Sequence, residues 1–340
     1  MKNIYGLTIE DMESYFLEIG SKKFHAKQLF SWLYEKRIES YDEVTDIKKD
    51  VVEVIKRDYS IERLKIVDIQ KDVDVNKYLF ELSDGEHIEA VLMRHDYGNS
   101  ICISSQVGCN MGCRFCESGR LKKVRNLTAG EMVEQILKVE EDINERITHV
   151  VIMGIGEPFD NYENFTRFVE IVNYQKGINI GSRHITVSTC GIIPKIREFS
   201  DFPYQVNLAI SLHAPNNEIR DNLMPINKVY PIQELIKEIR NYIKVTNRRV
   251  TFEYILLAGI NDSIECANEL CDLVKGLNCY INLIPYNETN NLGYKRSKKD
   301  TISDFYDIIK KRKINVTIRR EFGSNISAAC GQLRSKKEDL

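Results

Sequence analysis

Cys109-Asn110-Met111-Gly112-Cys113-Arg114-Phe115-Cys116 sets three cysteines at C-x3-C-x2-C spacing, and the neighbouring elements fall into order around it. Three thiolates this close can share one metal centre. A cubane iron–sulfur cluster normally takes four cysteine ligands, so three leave one iron without a protein ligand, which suits chemistry better than structure. Zinc is the competing reading. It closes a tetrahedron with four Cys or His ligands, and no fourth follows here at finger-like spacing.

Immediately upstream, Ser100 to Val107 reads as a strand that delivers the cysteine loop at its C-terminal end. Immediately downstream, Thr128-Ala129-Gly130-Glu131 is a T-x-x-E capping box that starts a helix with Met132, Ile136 and Val139 on its inner face. Strand and helix then alternate. Thr148 to Met153, His184 to Ser188, Gln205 to Leu212, Val250 to Leu257 and Tyr280 to Ile284 read as further strands, which makes six parallel βα units and an incomplete barrel. Arg312 to Arg319 is a candidate last strand, after which a Gly-containing loop carries Cys330. Such barrels gather their chemistry at the C-terminal strand ends. That rule selects Gly156-Glu157, Ser188, Ser211-Leu212-His213 and Asn287.

The chain before the cysteines divides in two. From Thr8 to about Arg57 the pattern is helical: Phe24, Leu29, Phe30, Leu33 and Tyr34 recur at helical spacing, with Lys22, Lys23, Lys27, Lys36 and Arg37 on the other side. A basic face of this kind can touch RNA, and a solvated surface is the plainer reading. Leu64 to Asp72, Lys77 to Leu82 and His87 to Arg94 alternate apolar and polar residues around turns such as Ser83-Asp84-Gly85, which predicts a β-meander with Glu89 in its last strand. The expected organisation is a helical domain over 1–60, a meander over 61–97 and a barrel over 98–340.

Composition sets the outer bounds. The 340 residues are 43% hydrophobic and 29% charged, as in a globular protein with a sizeable core. No signal-peptide or membrane-spanning apolar run is present, so the expected address is cytoplasmic. Nine cysteines in that setting point to metal or thiol chemistry, with Cys266, Cys271 and Cys279 read as small buried hydrophobes. A net charge of −2 argues against a globally basic nucleic-acid binder, although Arg120 to Arg125, Arg248-Arg249, Lys295 to Lys299 and Arg319-Arg320 are local basic clusters.

The cysteine triplet, Gly154-Ile155-Gly156-Glu157-Pro158, Ser211-Leu212-His213, Met224-Pro225-Ile226-Asn227, Ala328-Ala329-Cys330-Gly331-Gln332-Leu333 and the N-terminal Phe24-His25-Ala26-Lys27-Gln28-Leu29-Phe30 occur in one order along nearly the whole chain. Together they resemble the RlmN/Cfr family of radical S-adenosylmethionine (SAM) RNA methyltransferases. The resemblance implies a partial (βα)6 barrel of the radical SAM type with a helical accessory domain. It also implies a [4Fe-4S] cluster on Cys109, Cys113 and Cys116, with two SAM molecules used per turnover. Gly156, Glu157, Ser188, Ser211, Leu212, His213 and Asn287 would contact SAM, and Phe115 would shield the cluster from water.

Adenine carbons two and eight are poor nucleophiles, so ordinary methyl transfer fails there. The resemblance implies instead that one SAM methylates Cys330 and a second yields a radical that activates that methyl group for addition to adenine. Glu89 would then remove the ring proton, and Cys102 would attack the Cys330 sulfur, releasing methylated RNA and leaving a disulfide. The implied partners are 23S rRNA, with tRNA as a further target, and an electron donor such as flavodoxin or ferredoxin. No membrane is involved, and the oligomeric state stays open.

Some positions depart from the RlmN pattern. After Cys116 the family has a small residue, then Thr and Gly, with a later Gly; this chain has Glu117, Ser118 and Gly119, with Lys122 at the later glycine. Ser324, Asn325 and Ser327 stand where acidic residues precede Ala-Ala-Cys. Pro158, Val107 and Arg125 side with RlmN and methylation at carbon two, whereas Phe322-Gly323 looks like Cfr and carbon eight. Carbon-eight methylation and a non-catalytic iron–sulfur or zinc RNA-binding module are the alternatives.

Overall fold

The computed structural model describes residues 2–289, 291–319 and 331–333. The helical unit comprises β1 (Lys2–Asn3), α1 (Ile9–Glu18), α2 (Lys23–Tyr34), α3 (Lys49–Asp58) and β2 (Tyr59–Ser60). β1 and β2 pair in parallel, so the chain enters and leaves this unit side by side. A reciprocal capping box between Thr8 and Asp11 starts α1. Met12, Phe16, Ala26, Leu29, Phe30, Leu33 and Tyr34 are buried, but Phe24 is 51% exposed. Phe24 lies nine positions, roughly two and a half turns, before Leu33, so it faces away from the apolar side on which its type had suggested it.

Four antiparallel strands follow: β3 (Lys65–Asp72), β4 (Val75–Glu81), β5 (His87–His95) and β6 (Gly98–Ile103). The expected strand from Ser100 to Val107 is interrupted. β6 stops at Ile103, and the chain restarts as β7 (Gln106–Val107), which pairs with β8 (Arg125–Asn126) on the far side of the cysteine loop. At the break the Ser104 hydroxyl donates to the Glu89 carbonyl and accepts from the Ile155 amide, so the bend is held by a side chain rather than by the ladder.

The rest is strand and helix in turn: α4 (Ala129–Ile143), β9 (Ile147–Ile152), α5 (Tyr162–Asn173), β10 (Ile185–Thr189), α6 (Ile193–Phe199), β11 (Asn207–Ser211), α7 (Asn217–Leu223), α8 (Ile232–Thr246), β12 (Val250–Leu256), α9 (Ile264–Leu273), β13 (Cys279–Pro285), α10 (Lys299–Lys311) and β14 (Asn315–Ile318). The capping box at Thr128 and Glu131 opens α4 as expected. All ten long strands form one sheet in the order β14-β13-β12-β11-β10-β9-β6-β5-β4-β3, parallel from β14 to β6 and antiparallel beyond. Its two ends do not meet, which makes an open barrel with an antiparallel wing. The segment after Arg312 does supply a seventh parallel strand, β14.

One apolar core joins the parts. Tyr5, Phe16, Phe30 and Ile55 of the helical unit belong to the same buried cluster as Met132 and Ile136 of α4 and Phe165 of α5. Cys266, Cys271 and Cys279 are buried in that core. At this contact the chain of Tyr5 and Gly6 approaches α4 so closely that a methyl group on Gly130 would fall 2.9 Å from the Gly6 nitrogen.

Candidate active site

The parallel strand ends surround a cavity of about 890 Å³, counted out to its open mouth. Cys109, Cys113 and Cys116 line it together with Gly156, Glu157, Ser188, Ser211 and His213. Leu212 and Asn287 lie outside this lining. Leu212 is fully buried, its amide donating to the Glu253 carbonyl, and Asn287 follows β13 in a partly exposed position.

The cysteine loop is braced at several points. The β7–β8 pairing closes its base. Glycine is required inside it at Gly108, where the left-handed backbone (φ +72°) passes so close to the Lys122 carbonyl that no side chain fits. Lys122 itself has an ordinary backbone conformation and an exposed side chain, so lysine is tolerated at that family glycine. Glu117 is different: it is 5% exposed, and its Oε1 has no hydrogen-bond partner among the described residues.

Burial pushes the Cys109 thiol up to about 12 and the Cys113 thiol well above its ordinary range. Thiols in such surroundings keep their protons until a cationic centre replaces them, which is what iron coordination does. The loop brings three cysteines to one cavity, one short of the four ligands that close a structural zinc tetrahedron and the number that leaves one iron of a cubane open, so the donor set fits the cluster.

Glu157 is positioned by backbone. Its carboxylate accepts from the Phe159 amide at 3.0 Å and the Cys190 amide at 2.8 Å, while its own amide donates to Gln106 Oε1 at 2.9 Å. Burial raises its pKa, and the Cys190 amide opposes the shift. Beside it, Gly156 (φ +107°) packs against Gln106, whose Cβ would lie 2.6 Å from any added methyl. The carboxylate and the bare backbone of this turn therefore face the cavity as a rigid pair.

His213 has a left-handed backbone (φ 58°) and a buried ring at the cavity wall whose pKa falls to about 3, through burial and then the charge of Arg220. Its Nδ1 accepts from the Ile255 amide at 3.1 Å, which leaves the ring proton on Nε2. The ring meets Phe115 edge-on at 4.8 Å, which seats the aromatic between the cluster ligands. A neutral histidine is thus a fixed wall and hydrogen-bond donor here.

Residue-type reasoning missed Arg220 and Glu253. Arg220 on α7 is fully buried and donates to the carbonyls of Leu212 (3.1 Å), Cys190 (2.7 Å) and Ser211 (3.3 Å) and to Asn227 Oδ1 (2.9 Å). It ties two strand ends to the Met224-Pro225-Ile226-Asn227 turn, which explains the asparagine of that motif. The signal was an arginine seven residues before that asparagine. Glu253, mid-strand on β12, is aimed into the cavity with Asn282 donating to it at 2.8 Å, and burial raises its pKa.

Glu89 lies on β5 in the antiparallel wing, and Cys102 lies on β6, the strand where the wing joins the parallel half. The β5–β6 register sets Cys102 opposite Val91, two residues from Glu89, so both side chains leave the same face of the sheet. Glu89 is 5% exposed and pairs with the buried Lys77 at 3.3 Å. Cys102 shares an apolar cluster with Val75, Val91, Met93, Ile155 and Leu333. Cys330, like Ser324, Asn325, Ser327 and Phe322-Gly323, lies outside the described residues, but its covalent neighbour Gly331 lines the cysteine cavity.

A barrel of this form with three cysteines around its mouth defines a radical SAM enzyme, and residues 103–271 match the model of the Radical SAM superfamily. Residues 2–61 match the Ribosomal RNA large subunit methyltransferase N-terminal domain. The chain is 53% identical over 344 residues to a probable dual-specificity RNA methyltransferase RlmN of Spiroplasma citri, covering 100% of this chain and 99% of that protein. It is 51% identical over 334 residues to the Acholeplasma laidlawii protein described in the same words, covering 98% and 99% of the two chains. The crystal structure of a radical SAM methyltransferase from Sphaerobacter thermophilus superposes with a TM-score of 0.94 at 41% identity, covering 99% of this chain and 100% of that one. The chain belongs to the RlmN family of radical SAM RNA methyltransferases, which carry a [4Fe-4S] cluster and use SAM. Family membership overturns the alternative of a non-catalytic binding module.

Proposed function

We propose that this enzyme methylates carbon two of an adenosine in 23S rRNA, and of an adenosine in tRNA, through a methyl group carried on Cys330. One observation carries the reading. Leu333 shares an apolar cluster with Cys102, and Gly331 lines the cysteine cavity, so chain ends far apart in sequence converge where the two-thiol chemistry needs them. Cys109, Cys113 and Cys116 hold the cluster and leave one iron to SAM. Bound there, cluster and SAM supply a 5′-deoxyadenosyl radical by one-electron reduction, and SAM also supplies the methyl group, two molecules being used per turnover.

The protein's own groups do the rest. Gly156, Glu157, Ser188, Ser211 and His213 orient SAM, with Leu212 and Asn287 adjoining. Glu89, steadied by Lys77, takes the ring proton of the adenine joined to Cys330 as that odd-electron adduct gives up one electron, balancing the one spent in forming the radical. The Cys102 thiolate then attacks the Cys330 sulfur. A disulfide forms, the sulfur–carbon bond breaks, and the released carbon takes a proton to become the product methyl. The target base reaches the cavity by leaving its stack.

The helical unit over 1–60 serves RNA docking, the wing over 61–97 carries the base, and 98–340 generates the radical. The names of the similar curated proteins favour carbon two over the carbon-eight alternative. A cytoplasmic setting and flavodoxin or ferredoxin as the reductant complete the reading; among the described residues no helix is long and apolar enough to cross a membrane. Anaerobic protein with SAM, a reductant and separate rRNA and tRNA substrates tests the whole reading by nucleoside mass spectrometry. 2-Methyladenosine is expected in both; 8-methyladenosine, or no methylated adenosine, overturns it.

A further inference from the structure

The turn that follows Cys116 does more than end the cysteine loop. Residues Glu117–Arg120 form one 3-10 turn, and it touches the chain beyond Cys330 at two places. The Glu117 amide donates to the Gly331 carbonyl at 2.8 Å. The Ser118 hydroxyl, 4% exposed as a residue, donates to the Leu333 carbonyl at 2.6 Å across 215 positions. On its other side the turn is locked to the cluster ligands: a methyl on Gly119 would fall 2.5 Å from the Cys113 carbonyl oxygen. Such contact lets the turn shift only if the cysteine loop shifts with it.

We infer that Ser118 is a positioning residue that latches the methyl-carrier segment onto the cluster loop, so that holding the cluster and seating the carrier thiol are one event. The inference rests on Cys330 being the methyl carrier. The chemistry requires such a coupling, because a carrier thiol must meet SAM only where SAM meets the cluster. Further contacts hold the same short segment, among them a hydrogen bond from Gln332 Nε2 to the Glu288 carbonyl at 3.3 Å. Besides the two hydrogen bonds to the turn, Leu333 is 5% exposed inside the cluster that contains Cys102. The side chain of Ser118 can be removed from the latch without touching backbone, cluster ligand or apolar contact. It also stands where this chain has left its family's small-Thr-Gly run, within the turn that begins with the buried Glu117.

The test uses full-length protein, loaded with cluster and cluster-free, as wild type, Ser118→Ala and Ser118→Thr. Two quantities are read: amide hydrogen exchange of Glu117 and of the peptide containing Gly331 to Leu333, and the rate at which Cys330 gains a methyl from SAM, by peptide mass spectrometry. In loaded protein Ser118→Ala is expected to exchange roughly tenfold faster at both segments and to methylate Cys330 roughly tenfold more slowly, with iron content unchanged, as loss of one buried hydrogen bond implies. Ser118→Thr keeps the hydroxyl and is expected to restore both. Cluster-free wild type should resemble loaded Ser118→Ala in exchange. Equal exchange in loaded wild type and Ser118→Ala overturns the latch, and so does equal exchange in loaded and cluster-free wild type, which carries the test if the alanine variant does not fold. A wild type that never methylates Cys330 overturns the carrier reading instead, while the exchange arm still judges the latch.

Discussion

The two halves of the sheet handle chemistry differently. In the parallel half, β9 to β13, the working groups other than Glu253 stand at strand ends and on the loops after them, fixed by backbone amides, a left-handed histidine and a buried arginine. Where the antiparallel wing joins it, Glu89 on β5 and Cys102 on β6 lie within strands on one face, set by register and, for Glu89, by Lys77. The first half suits radical SAM chemistry in general; in the proposed function it is the second that turns that chemistry into a methylation through a thiol pair. Generation of the radical and its use are thus separated along a single sheet.

That separation can be broken by mutation. Cys116→Ala should lose the cluster and with it all SAM cleavage and RNA methylation, read as iron content and 5′-deoxyadenosine. Cys102→Ala should keep both iron and SAM cleavage yet stall as a covalent protein–RNA adduct visible on a denaturing gel; loss of iron in this variant would erase the division. Glu89→Gln should slow methylation by roughly 10²–10⁴-fold, as for a lost general base, and leave SAM cleavage intact.

Smaller effects sharpen the comparison through stability. His213→Ala strands the Ile255 amide and should cost about 1–3 kcal/mol in denaturant unfolding, whereas His213→Asn, which tolerates the left-handed backbone and keeps an acceptor, should cost less. Glu134 on α4 bonds Arg63 at 2.7 Å at the contact with the helical unit, and burial pushes its pKa up from 4.5 to about 7. The folded state then binds the extra proton, so this contribution to stability is complete below about 4.5 and is lost as pH rises through about 7. Glu134→Gln should flatten the melting temperature across that window.

The parallel half was legible in the sequence because its strand–helix rhythm and the strand-end rule both announce themselves. The wing was legible as a meander, but nothing in residue type distinguishes Glu89 from a surface carboxylate or Cys102 from a small core residue. Only resemblance singled them out, because their meaning lies in a register that pairs β5 with β6. Arg220 escaped because a buried cation served by carbonyls has no complementary acid in the sequence. Phe24 misled because aromatic character was weighed above its angle around α2.

The short ladder of Gln106 with Asn126 and Val107 with Arg125 also bears on how iron enters. Bringing the ends of a long loop together has an entropic cost that grows with its length. Here protein hydrogen bonds at the base of the loop meet part of that cost, unlike small zinc modules, whose folding waits for the ion. Removing the cluster should therefore loosen the loop and the carrier segment latched to it while the sheet stays folded, and stripped protein should be refillable without global refolding.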